Sequence, residues 1–253
     1  MASTTHAAEP PPALRIGTAG WSLPRQSWPA FPAEGTHLQR YAGVFGMAEI
    51  DTSFYRPHQP KTYARWGEST PDHFRFSVKL PREITHDRAL ADVEQPLAAF
   101  LGQVEALGPR LGCLLVQLAP SLAFEAATVD AFLNLLRRQY PGLVALEPRH
   151  ASWFGREAHA LLAAHRVGRV LADPVREAGG ESPGGWRGLA YLRLHGSPRT
   201  YYSGYSVDGL ADWARLLRRY RDEGAECWCV FDNTAAGHAV PDALALQALL
   251  SKS

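Results

Sequence analysis

The chain has 253 residues, 46% of them apolar, and 26 basic residues against 25 acidic ones leave a formal charge of +1. That composition supplies a sizeable core but no global field to recruit nucleic acid or an anionic membrane, so any attraction must be local. No run of about 18 apolar residues is available to span a bilayer. The three cysteines, Cys113, Cys227 and Cys229, form no Cys-x-x-Cys pair. They fit a reduced, cytoplasmic setting in which each packs as a small apolar residue.

Residues 1–13 are small, polar and rich in proline, which predicts a disordered tail ahead of a single domain over 14–253. From Arg15 onward strand-like and helix-like segments alternate. Strands are expected at Arg15–Trp21, Met47–Tyr55, His73–Leu80, Cys113–Ala119, Leu143–Arg149, Gly168–Asp173, Ala190–His195 and Cys227–Asn233. Between them lie helical stripes: Leu38, Tyr41, Ala42 and Phe45; Leu97, Phe100, Leu101 and Val104; Val129, Phe132, Leu133 and Leu136. Later stripes are Leu210, Trp213, Ala214 and Leu217, with Ser206 as N-cap, and Leu246, Leu249 and Leu250 after Pro241. Strand and helix repeated about eight times over some 250 residues predict a TIM-type β/α barrel. One interval departs from that rhythm. Residues 176–188 carry no helical stripe and many breakers, so the ring is expected to be irregular between its sixth and seventh strands. An open doubly wound sheet fits less well, because Gly17-Thr18-Ala19-Gly20 is followed by Trp21 and a Pro-rich loop, not by a phosphate-binding turn and helix.

Four of these strands put apolar groups on one face and charges on the other. Glu49, Asp51, Ser53 and Tyr55 alternate with Ile50, Thr52 and Phe54; Arg75, Ser77 and Lys79 alternate with Phe74, Phe76 and Val78. Glu147 and Arg149 follow Val144 and Leu146, and Tyr191, Arg193 and His195 interleave with Leu192 and Leu194. A parallel sheet is normally covered on both faces, so these charges predict a polar interior that needs partners or a ligand.

Barrel enzymes carry their sites at the C-terminal ends of the strands. Glu147 and His195 are the expected proton-transfer pair, because burial can lift a carboxyl toward the pH at which histidine titrates. Lys79 is expected beside them. Lys79, Arg149 and Arg193 are the expected clamp for a small anion, with Asp51, Tyr55, Gln117, Asn233, Trp21 and Tyr202 as further binding groups. The equally simple architectural alternative has Lys79 and Arg193 neutralising Asp51 and Glu147. Glu49 and Arg75 are expected to pair deeper in the interior. The loop 198–205, with Tyr201, Tyr202 and Tyr205, is a candidate lid. Glu147, His150, Asp173, His195 and Asp232 could supply ligands to a divalent metal, but no His-x-His or His-Glu-x-x-His spacing exists and no cofactor is implied.

Seven pieces in this order resemble one family, the domain-of-unknown-function family 72, also called YecE-like. They are Ile16-Gly17-Thr18-Ala19-Gly20-Trp21-Ser22; Glu49-Ile50-Asp51-Thr52-Ser53-Phe54-Tyr55-Arg56; Phe76-Ser77-Val78-Lys79-Leu80-Pro81 with Ile84-Thr85-His86; Leu115-Val116-Gln117-Leu118; Glu147-Pro148-Arg149-His150-Ala151-Ser152-Trp153; Tyr191-Leu192-Arg193-Leu194-His195-Gly196; and Phe231-Asp232-Asn233. The resemblance implies a β/α barrel and no particular activity. Two positions depart from the family pattern: Asp51 and Asp232 stand where asparagine is usual, each exchanging an amide for negative charge. The functional expectation is an enzyme acting on a small anionic polar molecule, sugar-phosphate-like or carboxylate-bearing. The alternatives are a nucleic-acid-directed or metal-dependent phosphodiesterase-like barrel, and a non-catalytic binding protein.

Overall fold

A computed structural model describes residues 12–251. The expectation of a disordered tail therefore falls largely outside the described residues. The architecture is mixed α/β, with helices packed around two mainly parallel sheets. One sheet joins β2 (Met47–Ile50), β3 (Arg75–Lys79), β4 (Leu111–Gln117), β5 (Leu143–Glu147), β6 (Val167–Arg169) and the short antiparallel β8 (Gly184–Gly185), in that order. The other runs β1 (Leu14–Thr18), β10 (Glu226–Phe231), β9 (Leu189–Leu194) and β7 (Leu171–Asp173).

Where the sequence predicts eight strands in one ring, the sixth divides between the sheets. Its first half pairs with β5 and its second half with β9, and the Val170 amide still donates to Leu146. At the opposite junction Ala19 bridges to Glu49, and the Gly20 amide donates to the Glu49 carbonyl at 2.8 Å. The helix-free segment 176–188 contributes only β8 and irregular chain, in keeping with its breakers.

The helices bury the predicted stripes. In the helices Glu94–Val104, Ala126–Gln139 and Val207–Asp222 the apolar residues three and four apart face the sheets, and the Ser206 hydroxyl caps the last of them by accepting from Gly209. Between the sheets lie two layers of side chains. The lower one is apolar and built from Met47, Cys113, Leu115, Ala145, Tyr191, Trp228 and Val230, with Tyr191 and Trp228 stacked nearly parallel. Gly112 makes room for it, since a Cβ there would lie 2.5 Å from the Trp228 ring. The upper layer is ionic.

The predicted strands run too long at their C-terminal ends. Asp51 already has helical backbone angles (φ −90°, ψ −22°) and opens a 3-10 turn over Thr52–Phe54. Alternation of faces needs extended backbone, so it stops at Ile50. Ser53 consequently turns inward against the Ile50 and Lys79 carbonyls, while Tyr55 is 75% exposed. The expected Glu49–Arg75 pair is not formed. Arg75 sits at the first position of β3 and donates to the carbonyls of Asp72 and Phe74, beyond the reach of the interior.

Candidate functional site

Arg193 organises the ionic layer. Strand β9 carries it between Ala172 of β7 and Val230 of β10, small and apolar neighbours that leave the guanidinium pointing inward. Its Nε and one terminal nitrogen meet the two oxygens of Glu49 at 3.1 and 2.6 Å. The other terminal nitrogen donates to Glu147 at 2.8 Å, and a further bond of 2.9 Å reaches Asp232. Three carboxylates from different strands thus converge on one fully buried cation, and their combined pull holds Arg193 protonated against the cost of burial. Burial raises the Glu49 carboxyl, with Arg193 opposing it. The Tyr191 hydroxyl lies 3.0 Å from Glu49 and 2.8 Å from Ser77, satisfying that end of the cluster.

Above Arg193 the cluster opens toward the C-terminal ends of the strands. Glu147 meets Arg149 at 2.5 Å, the Gln117 amide donates to it at 3.2 Å, and His195 Nε2 lies 3.4 Å away. Register explains the amide: Gln117 and Glu147 are direct partners across β4 and β5. His195 Nδ1 pairs with Asp232 at 3.1 Å. Burial alone would lower the histidine pKa, but the hydrogen bonds with Asp232 and Glu147 outweigh it and raise it above 6.5. For Glu147 burial works upward, yet Arg193 and Arg149 pull its carboxyl well below the usual range. The expectation that Glu147 is lifted toward neutrality is therefore corrected. Too many cations surround it, and of the pair only His195 has its pKa raised.

Arg193 also departs from its expected role as a ligand clamp, because Nε and both terminal nitrogens already serve carboxylates. Lys79 is paired with Asp51 at 2.8 Å and lies 4.3 Å over the Phe54 ring. Arg149 differs. It keeps a buried Nε without a partner, and it lines a cavity of about 70 Å³ together with His195. Nearby, burial lowers the His86 pKa, and Arg82, Lys79 and Arg149 lower it further against the opposing pull of Asp87.

The remaining expected residues scatter. Trp21 packs edge-on against Trp66 and Phe76. Asn233 is buried, donating to Ser203 and Asp242, and Tyr202 is exposed under Arg199. Among the described residues no group of three or more His, Cys, Asp or Glu side chains is placed to hold a metal. Of the donors considered for one, His150 accepts from the Ser152 amide, Asp173 accepts from Tyr205, and Glu147 and Asp232 already hold Arg193.

A network absent from the sequence reading fixes the loop over His195. The Tyr205 hydroxyl donates to Asp173 at 2.7 Å and accepts from the Gly196 amide, while Asp242 accepts from the Tyr205 amide and from Asn233. Gly196 is required there: its φ is +91°, and a Cβ would lie 2.4 Å from the Ser203 carbonyl. Asp242 lies on a helix, outside any alternating strand, so periodicity gave no sign of it.

The seven sequence pieces lie on β1, β2, β3, β4, β5, β9 and β10 and the turns that follow them. Residues 15–253 match the family model "Protein of unknown function DUF72". The chain belongs to the DUF72 family. Among its relatives is the UPF0759 protein YecE of Escherichia coli strain K12, 33% identical over 173 residues, which are 65% of this chain and 61% of YecE. The UPF0759 protein YunF of Bacillus subtilis strain 168 is 24% identical over 267 residues, covering 94% of both chains. The crystal structure of a DUF72 protein from Enterococcus faecalis V583 superposes with a TM-score of 0.79 at 21% identity, covering 95% of this chain and 96% of that one. The DUF72 fold is therefore shared at low identity. No helix among the described residues is long and apolar enough to cross a membrane.

Proposed function

We propose that this DUF72 protein is an enzyme of acid–base chemistry on a small anionic polar molecule, built on a TIM-type barrel that its two sheets form together. Support for the barrel comes from the Gly20–Glu49 bond at one junction and the Val170–Leu146 bond at the other. The observation that carries the function is Arg149: a guanidinium with an unpartnered Nε, lining a cavity beside a histidine whose pKa is raised. A bound oxyanion supplies the missing acceptor. His195, held between Asp232 and Glu147, is the proton donor, and Gln117 orients Glu147. Lys79, neutralised by Asp51, sets the field at the rim, and Arg193 positions the carboxylates.

A thermal-shift screen of small anions against the purified protein tests this reading. A ligand present at a hundred times its Kd stabilises by about 2.7 kcal/mol, and Arg149→Ala should abolish the shift. Wild-type protein that responds to no anion contradicts the proposal.

A nucleic-acid strand is the second reading, favoured by one observation. The exposed aromatics Trp28, Tyr55, Tyr201 and Tyr202 all lie on loops that follow strand C-termini, and Arg199 stacks over Tyr202 at 3.9 Å. Binding of single-stranded DNA that weakens steeply with salt is its signature.

A further inference from the structure

The cavity beside Arg149 and His195 is lined largely by apolar side chains, together with Arg176, Glu177 and Thr200. Phe154, from the turn after β5, lines it with Pro174 and Val175, which follow β7, and the Arg169 guanidinium lies 4.6 Å from the centre of the Phe154 ring. Val175 opens the segment that carries no helix. An ordinary crossover helix would start close to this point; the irregular chain leaves a hollow instead, with Gly180 packed against Phe154. On the measure by which one water needs about 10–15 Å³, 70 Å³ accepts several water-sized groups in a row. A sugar phosphate offers hydroxyls and a dianion to such a hollow, which has few polar atoms with which to answer them.

Charge narrows the choice further. The three carboxylates Glu49, Glu147 and Asp232 face Arg193 and Arg149, with His195 hydrogen-bonded to Glu147 and Asp232. Arg176 and Glu177, of opposite charge, also line the cavity, and Arg169 beside Phe154 has Glu181 in its field. Arg149 keeps an unpartnered donor for an anionic group, but the cluster carries no surplus positive charge that would favour a dianion over a monoanion.

We propose that the ligand of this site is an amphipathic monocarboxylate, its carboxylate on Arg149 and its flat or branched apolar body against Phe154, Pro174 and Val175. This rests on the anion reading given above and narrows it. The binding order follows from the parts: the carboxylate fixes orientation, and burial of the apolar body supplies affinity.

Calorimetric titration with acetate, benzoate, benzamide and phenyl phosphate separates the two ideas. Benzoate should bind at least about tenfold tighter than acetate, benzamide should not bind measurably, and phenyl phosphate should bind no tighter than benzoate. Phe154→Ala should bring benzoate toward acetate. Val175→Ser should do the same at an exposed position where folding is not at stake. Acetate and benzoate binding equally would overturn the apolar part and leave the anion site standing. Phenyl phosphate binding more tightly would overturn the single-charge assignment. Benzamide matching benzoate, or no binding by any of the four, would remove both the inference and the anion reading beneath it.

Discussion

Arg193 and Arg149 both reach the carboxylate of Glu147, yet they occupy opposite situations. Arg193 is 1% exposed and serves three carboxylates with its Nε and both terminal nitrogens. The Arg149 side chain is 18% exposed, holds one carboxylate, and keeps an unpartnered Nε beside a cavity. Two guanidiniums that meet the same carboxylate thus differ in how many of their donors are already used. Desolvation sharpens the division. Removing the deeper cation leaves buried charges with no counter-ion, whereas removing the outer one leaves a carboxylate still held by Arg193 and Gln117.

The largest effect should therefore come from Arg193→Met. Uncompensated buried carboxylates cost about 3–5 kcal/mol, read as a fall in the urea midpoint, or as failure to fold if the margin is smaller than that. Glu49→Gln in the Arg193→Met background should recover part of the loss by removing one of the stranded charges. A loss below about 1 kcal/mol in Arg193→Met would erase the contrast between the two arginines.

This contrast was half legible in the sequence. Alternation along β2, β5 and β9 identified Glu49, Glu147 and Arg193 as inward charges, because extended backbone forces every second side chain to one face. Alternation is silent on which inward charges meet. Glu49 and Arg75 looked like partners from adjacent strands, but Arg75 starts its strand and Glu49 sits two positions along its own, opposite Ser77. Asp51 and Tyr55 were misplaced for a different reason, since the chain leaves extended geometry immediately after Ile50. The hollow lined by Phe154 and Val175 carried no signal beyond the missing helix at 176–188. A gap in a periodic pattern tells where regular structure stops but not what the freed space contains.

A middle-sized effect is expected at the loop over His195. Tyr205→Phe keeps the ring packed against Phe231 and Trp213 but removes the hydroxyl between Asp173 and Gly196. An amide and a partly buried carboxylate then lose a partner, a cost of about 1–2 kcal/mol. Hydrogen exchange should quicken at Gly196 and Tyr201 while the amides of β3 and β4 stay protected. Uniform loss of protection would mean that the loop is part of the global fold and not a separately fastened cover. Arg149→Ala should cost less still, under about 1 kcal/mol in urea, while anion binding disappears. A large stability loss there would place Arg149 with Arg193 in the architecture.

The smallest effect on stability, and the sharpest on the site, belongs to Asp232→Asn. This exchanges the carboxylate for an amide of nearly the same shape, so Arg193 keeps both glutamates. What changes is His195, which loses the anionic partner of its Nδ1. The imidazole titration followed by NMR should move to lower pH, since burial, which disfavours the charged ring, is then opposed by Glu147 alone among the carboxylates. Linkage carries this into the pH dependence of folding. In the wild type the raised pKa contributes stability that is complete below about 6.5, the value of an unfolded histidine, and is lost as pH rises through the folded value. In Asp232→Asn that decline should shrink, so wild type and variant should differ least above the folded pKa and most below 6.5. An unmoved titration would mean that Asp232 serves Arg193 only, and the proton donor of the site would have to be sought elsewhere.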